Sequence, residues 1–137
     1  MLGKNGVITE IVSADNERAD LPASGGESAR NRYLIDPLAY MRIEREADKR
    51  GVDVLGIYHS HPDVAARPSQ FDLDHAWPNF SYLIVSVHRG SWLRRLLASV
   101  GLAPKGKAVE SNSWRLRDDR SVFDQEAVEM TDHSRYG

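Results

Sequence analysis

The sequence predicts an α/β or α+β domain, in which a mixed sheet has a helix packed on each side. Two apolar runs, 54–58 and 82–87, are typical of buried strands that would lie side by side in one sheet. A segment with helix signals at both ends, 36–51, precedes the first run. At 137 residues, the chain is long enough for one core and too short for two, so we predict a single domain, 1–137.

The predicted helix has a clear start and a clear end. Asp36 is a favoured N-cap residue, and Pro37 suits the first turn because its missing N–H is not needed there. Gly51 suits the left-handed residue that ends many helices. Tyr40 and Ala47 fall on one face at helical spacing, which predicts the buried side.

The residues before this helix predict a hairpin and a loop. The segment 7–12 is rich in β-branched residues and predicts a strand. Lys4-Asn5-Gly6 is a turn signal, so residues 1–3 are interpreted as the end of a truncated first strand. The polar segment 13–30 predicts a loop.

The carboxyl-terminal third predicts a short helix and a second hairpin. The segment 92–100 is apolar with two embedded arginines, which predicts an amphipathic helix, and a loop follows over 101–107. The segments 113–117 and 121–123 predict a hairpin. Residues 131–137 are polar and predict a frayed tail.

Composition excludes several classes of function. The formal charge is −2 and both signs are interspersed, which argues against nucleic-acid binding and attraction to membrane surfaces. The absence of cysteine excludes disulfides and thiolate metal sites. No apolar run approaches a membrane span and no signal peptide is recognisable, so we expect a cytoplasmic protein. The oligomeric state stays open.

The segment between the two strands carries the candidate chemistry. His59 and His61 follow the first strand and would point to one face if the strand continued. Pro62 would end it, because proline cannot donate to a sheet. Ser69 then opens a helical turn, and the intervening loop is long enough to fold Asp72 back towards the two imidazoles.

This donor set points to a metal centre with an open position. Two imidazoles and one carboxylate suit catalytic zinc, which takes three protein ligands and a water, and also suit non-haem iron. Ser69-x-x-Asp72 also resembles a helix capping box, and either half alone has a structural interpretation. His75 is a possible extra ligand or an exposed polar residue.

The whole pattern resembles a known signature. His59-Ser60-His61-Pro62 followed by Ser69-x-x-Asp72 is similar to the JAMM (MPN+) motif of zinc-dependent isopeptidases and deubiquitinases, especially the small bacterial and archaeal branch. Gly56-Ile57-Tyr58 and Ser113-Trp114-Arg115-Leu116 also resemble that branch. The segment 89–112 has no counterpart in the minimal family pattern and is interpreted as an insertion.

The resemblance implies a fold, a metal and an activity. The implied fold is JAMM/MPN-like, related to that of cytidine deaminase. One zinc ion per chain would be bound by His59, His61 and Asp72, and Ser69 would help to stabilise the oxyanion. The implied reaction is hydrolysis of an amide or isopeptide bond. The implied partner is the carboxyl-terminal tail of a ubiquitin-like sulfur-carrier protein carrying an amino-acid adduct, or a related peptide.

One family residue is expected to lie outside this sequence. The family uses a glutamate as general acid and base, carried just before a Leu-Leu-Gly-like stretch, and Met1-Leu2-Gly3 looks like the end of that stretch. The glutamate would therefore lie upstream, with the first helix and strand. Glu17 and Glu27 are possible substitutes, whereas Glu10 is interpreted as an exposed strand residue. The alternative function is a catalytically impaired metal-binding scaffold or interaction domain.

Two other metal-enzyme classes fit less well. Cupin and iron-oxygenase sheets show many short strands at regular spacing, which this sequence does not. An amidohydrolase barrel also uses a His-x-His pair, but it needs eight βα units and therefore a longer chain.

Overall fold

The computed structural model describes residues 1–14, 35–102 and 106–130. Within these ranges the elements are β1 (Leu2–Lys4), β2 (Val7–Glu10), α1 (Pro37–Arg50), β3 (Asp53–Val54), β4 (Gly56–Pro62), α2 (Gln70–His75), β5 (Ser81–His88), α3 (Trp92–Ser99), β6 (Lys107–Leu116) and β7 (Phe123–Glu126). No helix in this described part of the chain combines the length and apolar character needed to cross a bilayer.

The strands form two sheets. The smaller sheet has the order β2-β1-β3 and is antiparallel. The larger has the order β4-β5-β6-β7, with β4 and β5 parallel and the other pairs antiparallel. The predicted mixed sheet is therefore confirmed, with the two apolar runs side by side in an α+β arrangement.

Leu55 joins the two sheets. Its N–H donates to Met1 O at 3.0 Å, and its carbonyl accepts from Ser81 N at 3.1 Å. The predicted strand 54–58 is thus divided, since Val54 belongs to β3 and β4 begins at Gly56. Strand β4 also continues to Pro62, where the proline was predicted to end it.

Gly56 allows β4 and β5 to approach closely. A Cβ atom at this position would lie 1.9 Å from the carbonyl oxygen of Ser81, which no side chain tolerates. A glycine is therefore needed at the start of the strand that carries the two histidines.

Helix α1 has the predicted ends. The Asp36 carboxylate accepts from Leu38 N at 3.0 Å and from Ala39 N at 3.2 Å, and Gly51 ends the helix with φ at 67°. Ala47 is buried against the core side, as predicted.

The main core lies between α2 and the larger sheet. Ile57, Ala76, Tyr82 and Leu116 are buried there, and Leu73, Trp114 and Phe123 are among the side chains packed against them. The Tyr82 hydroxyl accepts from Trp77 N at 2.6 Å and donates to Trp77 O at 3.2 Å. These bonds fix the end of α2 to β5, and burial raises the pKa of Tyr82 to about 12.

The predicted carboxyl-terminal helix and hairpin are confirmed. Helix α3 begins after Ser91, whose side chain caps it, and leaves Leu93 and Leu96 exposed; the C-cap residue Val100 is exposed as well. The hairpin pairs Leu116 with Phe123. Strand β6 begins at Lys107, so part of the segment interpreted as an insertion, 107–112, pairs with β5.

Several predicted features lie outside the described residues. These are the tail 131–137, most of the loop 13–30 and the middle of the loop 101–107. Glu17 and Glu27 belong to this group.

Candidate metal centre

Strand β4 places both histidines on the core face of the larger sheet. His59 pairs in register with Ile84, and His61 with Ser86, which are both buried. Because alternate residues of a strand share a face, the two imidazoles project together towards α2. The two candidate ligand side chains lie in the carboxyl-terminal half of β4, within the strand.

Helix α2 brings Asp72 to the two imidazoles. One ligand atom from each of His59, His61 and Asp72 lies within 4.8 Å of the others. His59 Nε2 is 3.3 Å from Asp72 Oδ1, His61 Nε2 is 3.6 Å from Asp72 Oδ2, and the two Nε2 atoms are 3.1 Å apart. All three residues predicted to bind metal therefore converge.

The loop after β4 orients the His61 ring. His61 Nδ1 lies 3.3 Å from the carbonyl oxygen of Ala65, which can only accept a hydrogen bond. In the neutral ring, the proton is therefore on Nδ1, and the lone pair of Nε2 faces His59 and Asp72. A backbone carbonyl bound to the second ring nitrogen is the usual support for a metal-binding histidine.

The electrostatics favour the protonation states that bind cations. Burial lowers the pKa of His61, and the neighbouring His59 lowers it further, although Asp72 and the Ala65 carbonyl oppose this. Burial alone would raise the pKa of Asp72, but the nearby His59 and the hydrogen bonds from Ser69 hold it below the usual value. A neutral imidazole and an ionised carboxylate are the forms that coordinate metals.

One oxygen of Asp72 is left for a cation. Oδ2 accepts from Ser69 N at 2.6 Å and from Ser69 Oγ at 2.7 Å. Oδ1 is buried and accepts no well-formed hydrogen bond from the residues that the structure describes. A buried polar atom without a hydrogen-bond partner is rare in folded proteins. A bound metal ion would supply the partner that Asp72 Oδ1 lacks among the described residues. The donor set, two imidazole nitrogens and one carboxylate oxygen, fits zinc.

Ser69 forms the capping box at the start of α2. Its side chain accepts from Asp72 N at 3.2 Å, and the Asp72 carboxylate accepts from Ser69 N in return. The hydroxyl proton is directed at Asp72 Oδ2. The structural interpretation of this motif is therefore confirmed, and the oxyanion role of Ser69 stays a prediction.

Strand β6 holds the loop between the candidate ligands, and no pattern in the sequence indicated this contact. Ala66 is fully buried, its N–H donates to Glu110 Oε2 at 3.1 Å, and its carbonyl accepts from Trp114 Nε1 at 3.0 Å and Asn112 Nδ2 at 3.3 Å. The sequence shows only that side chains able to form hydrogen bonds lie at alternate positions of this strand, Glu110, Asn112 and Trp114, which does not specify their partner.

Strand β5 and its following turn hold the other end of the loop. Ser86 Oγ donates to Val64 O at 2.6 Å. The Asp63 carboxylate accepts from Arg89 Nε at 3.0 Å and from Arg95 at 3.2 Å. The loop is thus fixed to two strands and to α3.

The other candidate groups lie outside the cluster. His75 is exposed, stacks on Phe71 and donates from Nδ1 to its own turn, at Phe71 O. Glu10 forms an ion pair with Arg50, and the hydrogen bond from Arg50 lowers the pKa of Glu10. Within the described ranges, the three-residue cluster contains a single carboxylate, Asp72.

The sequence of this chain matches a known protein family whose motif contains the same three residues. A family model of prokaryotic homologues of the JAB domain matches residues 2–98. The chain belongs to this family. The matched region contains the JAMM motif and all three convergent candidate ligands, so the resemblance to the JAMM/MPN group is confirmed.

Curated relatives and a solved structure are similar over part of their length. The chain is 40% identical over 83 residues to a desampylase from Haloferax volcanii, covering 59% of the chain and 60% of the relative. It is 40% identical over 52 residues to a probable TtuB-protein conjugate cleaving protease from Thermus thermophilus, covering 38% of the chain and 35% of the relative. The solution structure of a Salinibacter ruber protein aligns with a TM-score of 0.51 at 32% identity, covering 88% of this chain and 65% of that one.

Proposed function

We propose that this JAB-family chain is a zinc-dependent metallopeptidase or isopeptidase. Its substrate would be an amide bond at the carboxyl-terminal tail of a ubiquitin-like sulfur-carrier protein, or a related peptide. The convergence of His59, His61 and Asp72 within 4.8 Å is the observation that carries the proposal. The names of the two curated relatives, one a desampylase and one a TtuB-conjugate protease, support the substrate class.

In this proposal the three side chains hold one zinc ion and leave one position open. His61 Nε2 and Asp72 Oδ1 are the atoms directed at the shared space, and His59 Nε2 completes the set. A bound zinc would lower the pKa of a coordinated water and polarise the scissile carbonyl. The same ligands also suit iron, so the metal itself has to be measured.

Ser69 would supply a hydrogen bond to the developing oxyanion. Its hydroxyl donates to Asp72 Oδ2 in this structure, so it has to rotate away during the reaction. Asp72 Oδ2 keeps the Ser69 N–H at 2.6 Å, so one of its two hydrogen bonds survives the rotation. Such a donor typically contributes a factor of about 10²–10³ in turnover.

The reaction also needs a proton acceptor. Family members use a glutamate, and Glu10 is engaged by Arg50. We propose that the chain reaches full turnover when a glutamate carboxylate lies beside the metal centre, and that a glutamate-bearing segment joined at Met1 can supply this group. General acid–base catalysis typically contributes about 10²–10⁴-fold, which sets the expected gain in turnover.

The test is hydrolysis of a carrier-protein tail conjugate by the zinc-loaded chain, with and without a joined segment from a relative. We expect cleavage that a chelator abolishes and His59→Ala removes. His75→Ala is the matched control, because His75 is exposed and lies outside the cluster. Equal turnover with and without the joined segment would show that a residue of this chain provides the base.

A metal-binding scaffold is the second candidate function. It is favoured by the single carboxylate in the cluster of the described residues. A scaffold should bind zinc without hydrolysing the conjugate, even when the amino-terminal segment is joined to it. The hydrolysis experiment described above measures this difference.

A further inference from the structure

A cavity of about 320 Å³ opens beside the candidate metal centre, between α2 and the β6–β7 hairpin. We call this cavity the Trp114 pocket. Its lining residues include Arg67, Ser69, Leu73, Trp114, Val122 and Phe123. Ser69 is shared with the metal centre, because its Oγ is 2.7 Å from Asp72 Oδ2. A group in the pocket would therefore lie one side chain away from a metal ligand.

The apolar walls of the Trp114 pocket are held in place before any ligand binds. The Trp114 indole donates to Ala66 O at 3.0 Å, which fixes the plane of the ring. Phe123 makes an edge-to-face contact with Tyr82, with ring centroids 5.4 Å apart. Leu73 is fixed by the same core cluster. Preformed apolar walls with few polar groups are typical of small-ligand sites.

One cation at this pocket, Arg67, interacts electrostatically with Glu110 but has no hydrogen bond or close ion pair in the described part of the chain. Arg67 is exposed, and its guanidinium makes no hydrogen bond or ion pair with any described residue. The Glu110 carboxylate, whose pKa Arg67 helps to lower, is already bonded to Ala66 N and Asn112 Nδ2. A guanidinium that lines an apolar cavity and has its hydrogen-bond donors available suits a ligand with an apolar side chain and a carboxylate.

The size of the pocket indicates which part of a substrate it receives. A volume of about 320 Å³ is at the lower end for small-molecule sites, so it fits a single large residue. The tail of a folded carrier protein would arrive as an extended chain and would need a longer groove. In a conjugate of a carrier-protein tail with a single amino acid, the compact group is the amino acid that hydrolysis releases.

We propose that the Trp114 pocket binds the released amino acid, with its apolar side chain against Trp114 and Phe123 and its free carboxylate on Arg67. This inference rests on the proposed function, and it makes Arg67 and Val122 specificity-determining residues. The preferred bond would then be an amide to an apolar amino acid with a free carboxyl group, in preference to an isopeptide bond to a lysine of a folded protein.

The kinetic test compares two tail conjugates that differ only in whether the released leucine has a carboxylate or a carboxamide. We expect the acid to be cleaved with at least about tenfold higher kcat/KM, the range of a charge-assisted hydrogen bond. Arg67→Ala should reduce this ratio to near one, and Arg67→Lys should keep part of it. Arg45→Ala, at an exposed position on α1, is the matched control and should keep all of it.

The apolar part of the site is tested by comparing leucine with glycine as the released residue. Val122→Ala should reduce the preference for leucine, while Val128→Ala at a similarly exposed position should not. Equal rates for acid and amide conjugates, or a preference for isopeptides to a folded protein, would overturn the pocket assignment and leave the proposed function intact.

A binding measurement covers the case in which no conjugate is cleaved, which would count against the proposed function itself. Free leucine is titrated into the zinc-loaded chain while the NMR signal of the Trp114 indole N–H is followed. We expect a saturable shift with leucine, and a weaker one with leucinamide or in Arg67→Ala. An indole signal unmoved by leucine would overturn the proposal.

Discussion

Two segments build the candidate metal centre, and they differ in how far their contacts reach along the chain. The segment 59–72 contains all three convergent candidate ligands. Strand β6 contributes no ligand, but Glu110, Asn112 and Trp114 hold Ala66 from 44, 46 and 48 positions away. We expect the first segment to determine which ion can bind, and the second to determine whether the loop between the candidate ligands keeps its shape. Variants in the two segments should therefore fail in different ways.

The largest effect is expected in the ligand segment. Asp72→Asn and His59→Ala should each abolish stoichiometric zinc binding, because each removes one of three protein ligands. Asparagine keeps the size of the side chain, so the α2 cap is disturbed least. Elemental analysis after dialysis is the measurement, and His75→Ala should keep its zinc. Full zinc occupancy in both ligand variants would refute the assignment.

The next effect separates the two roles of Ser69. Ser69→Ala should lower turnover about a hundredfold, from loss of an oxyanion donor, and cost about 1 kcal/mol of unfolding free energy, from loss of the cap. Ser91→Ala is the matched control, because Ser91 caps α3 in the same way. It should lose stability without losing turnover. If Ser69→Ala behaves like this control in an active protein, its role is capping alone.

A smaller effect is expected in β6. Trp114→Phe removes the indole N–H that donates to Ala66 O. We expect a loss of about 1 kcal/mol in the unfolding free energy and about tenfold weaker zinc binding, as for other groups that support ligands indirectly. Zinc should still bind with one ion per chain. Trp77→Phe is the control for zinc affinity. If Trp77→Phe weakens zinc binding as much as Trp114→Phe does, the bond from β6 has no specific effect on the metal centre.

The smallest effect is expected on α3, which lies within the segment 89–112. Leu96 is 54% exposed, so Leu96→Ser should change the unfolding free energy by no more than about 0.5 kcal/mol. Leu116→Ser, at a position that is 1% exposed, should prevent stable folding. Chemical denaturation followed by circular dichroism compares the two. A large loss from Leu96→Ser would show that α3 is part of the core.

The same contrast explains what the sequence could predict. The shared face of His59 and His61 could be predicted from the two-residue period of a strand. The contact of Ser69 with Asp72 could be predicted from the capping motif, whose two residues are three positions apart. Both patterns are local in the sequence. The bonds from β6 to Ala66 depend on strand pairings that close a long loop, and no local pattern encodes them. The division of the strand at Leu55 was missed for the same reason, because it depends on the pairing with Met1.

We predict that His59, His61 and Asp72 bind a catalytic zinc ion. The most direct measurement is anomalous diffraction at the zinc edge from crystals of the zinc-loaded chain. The prediction is one peak per chain, in contact with Nε2 of both histidines and with Oδ1 of Asp72. Zinc found only at exposed residues such as His75 or His88, or no zinc bound at all, would contradict this prediction.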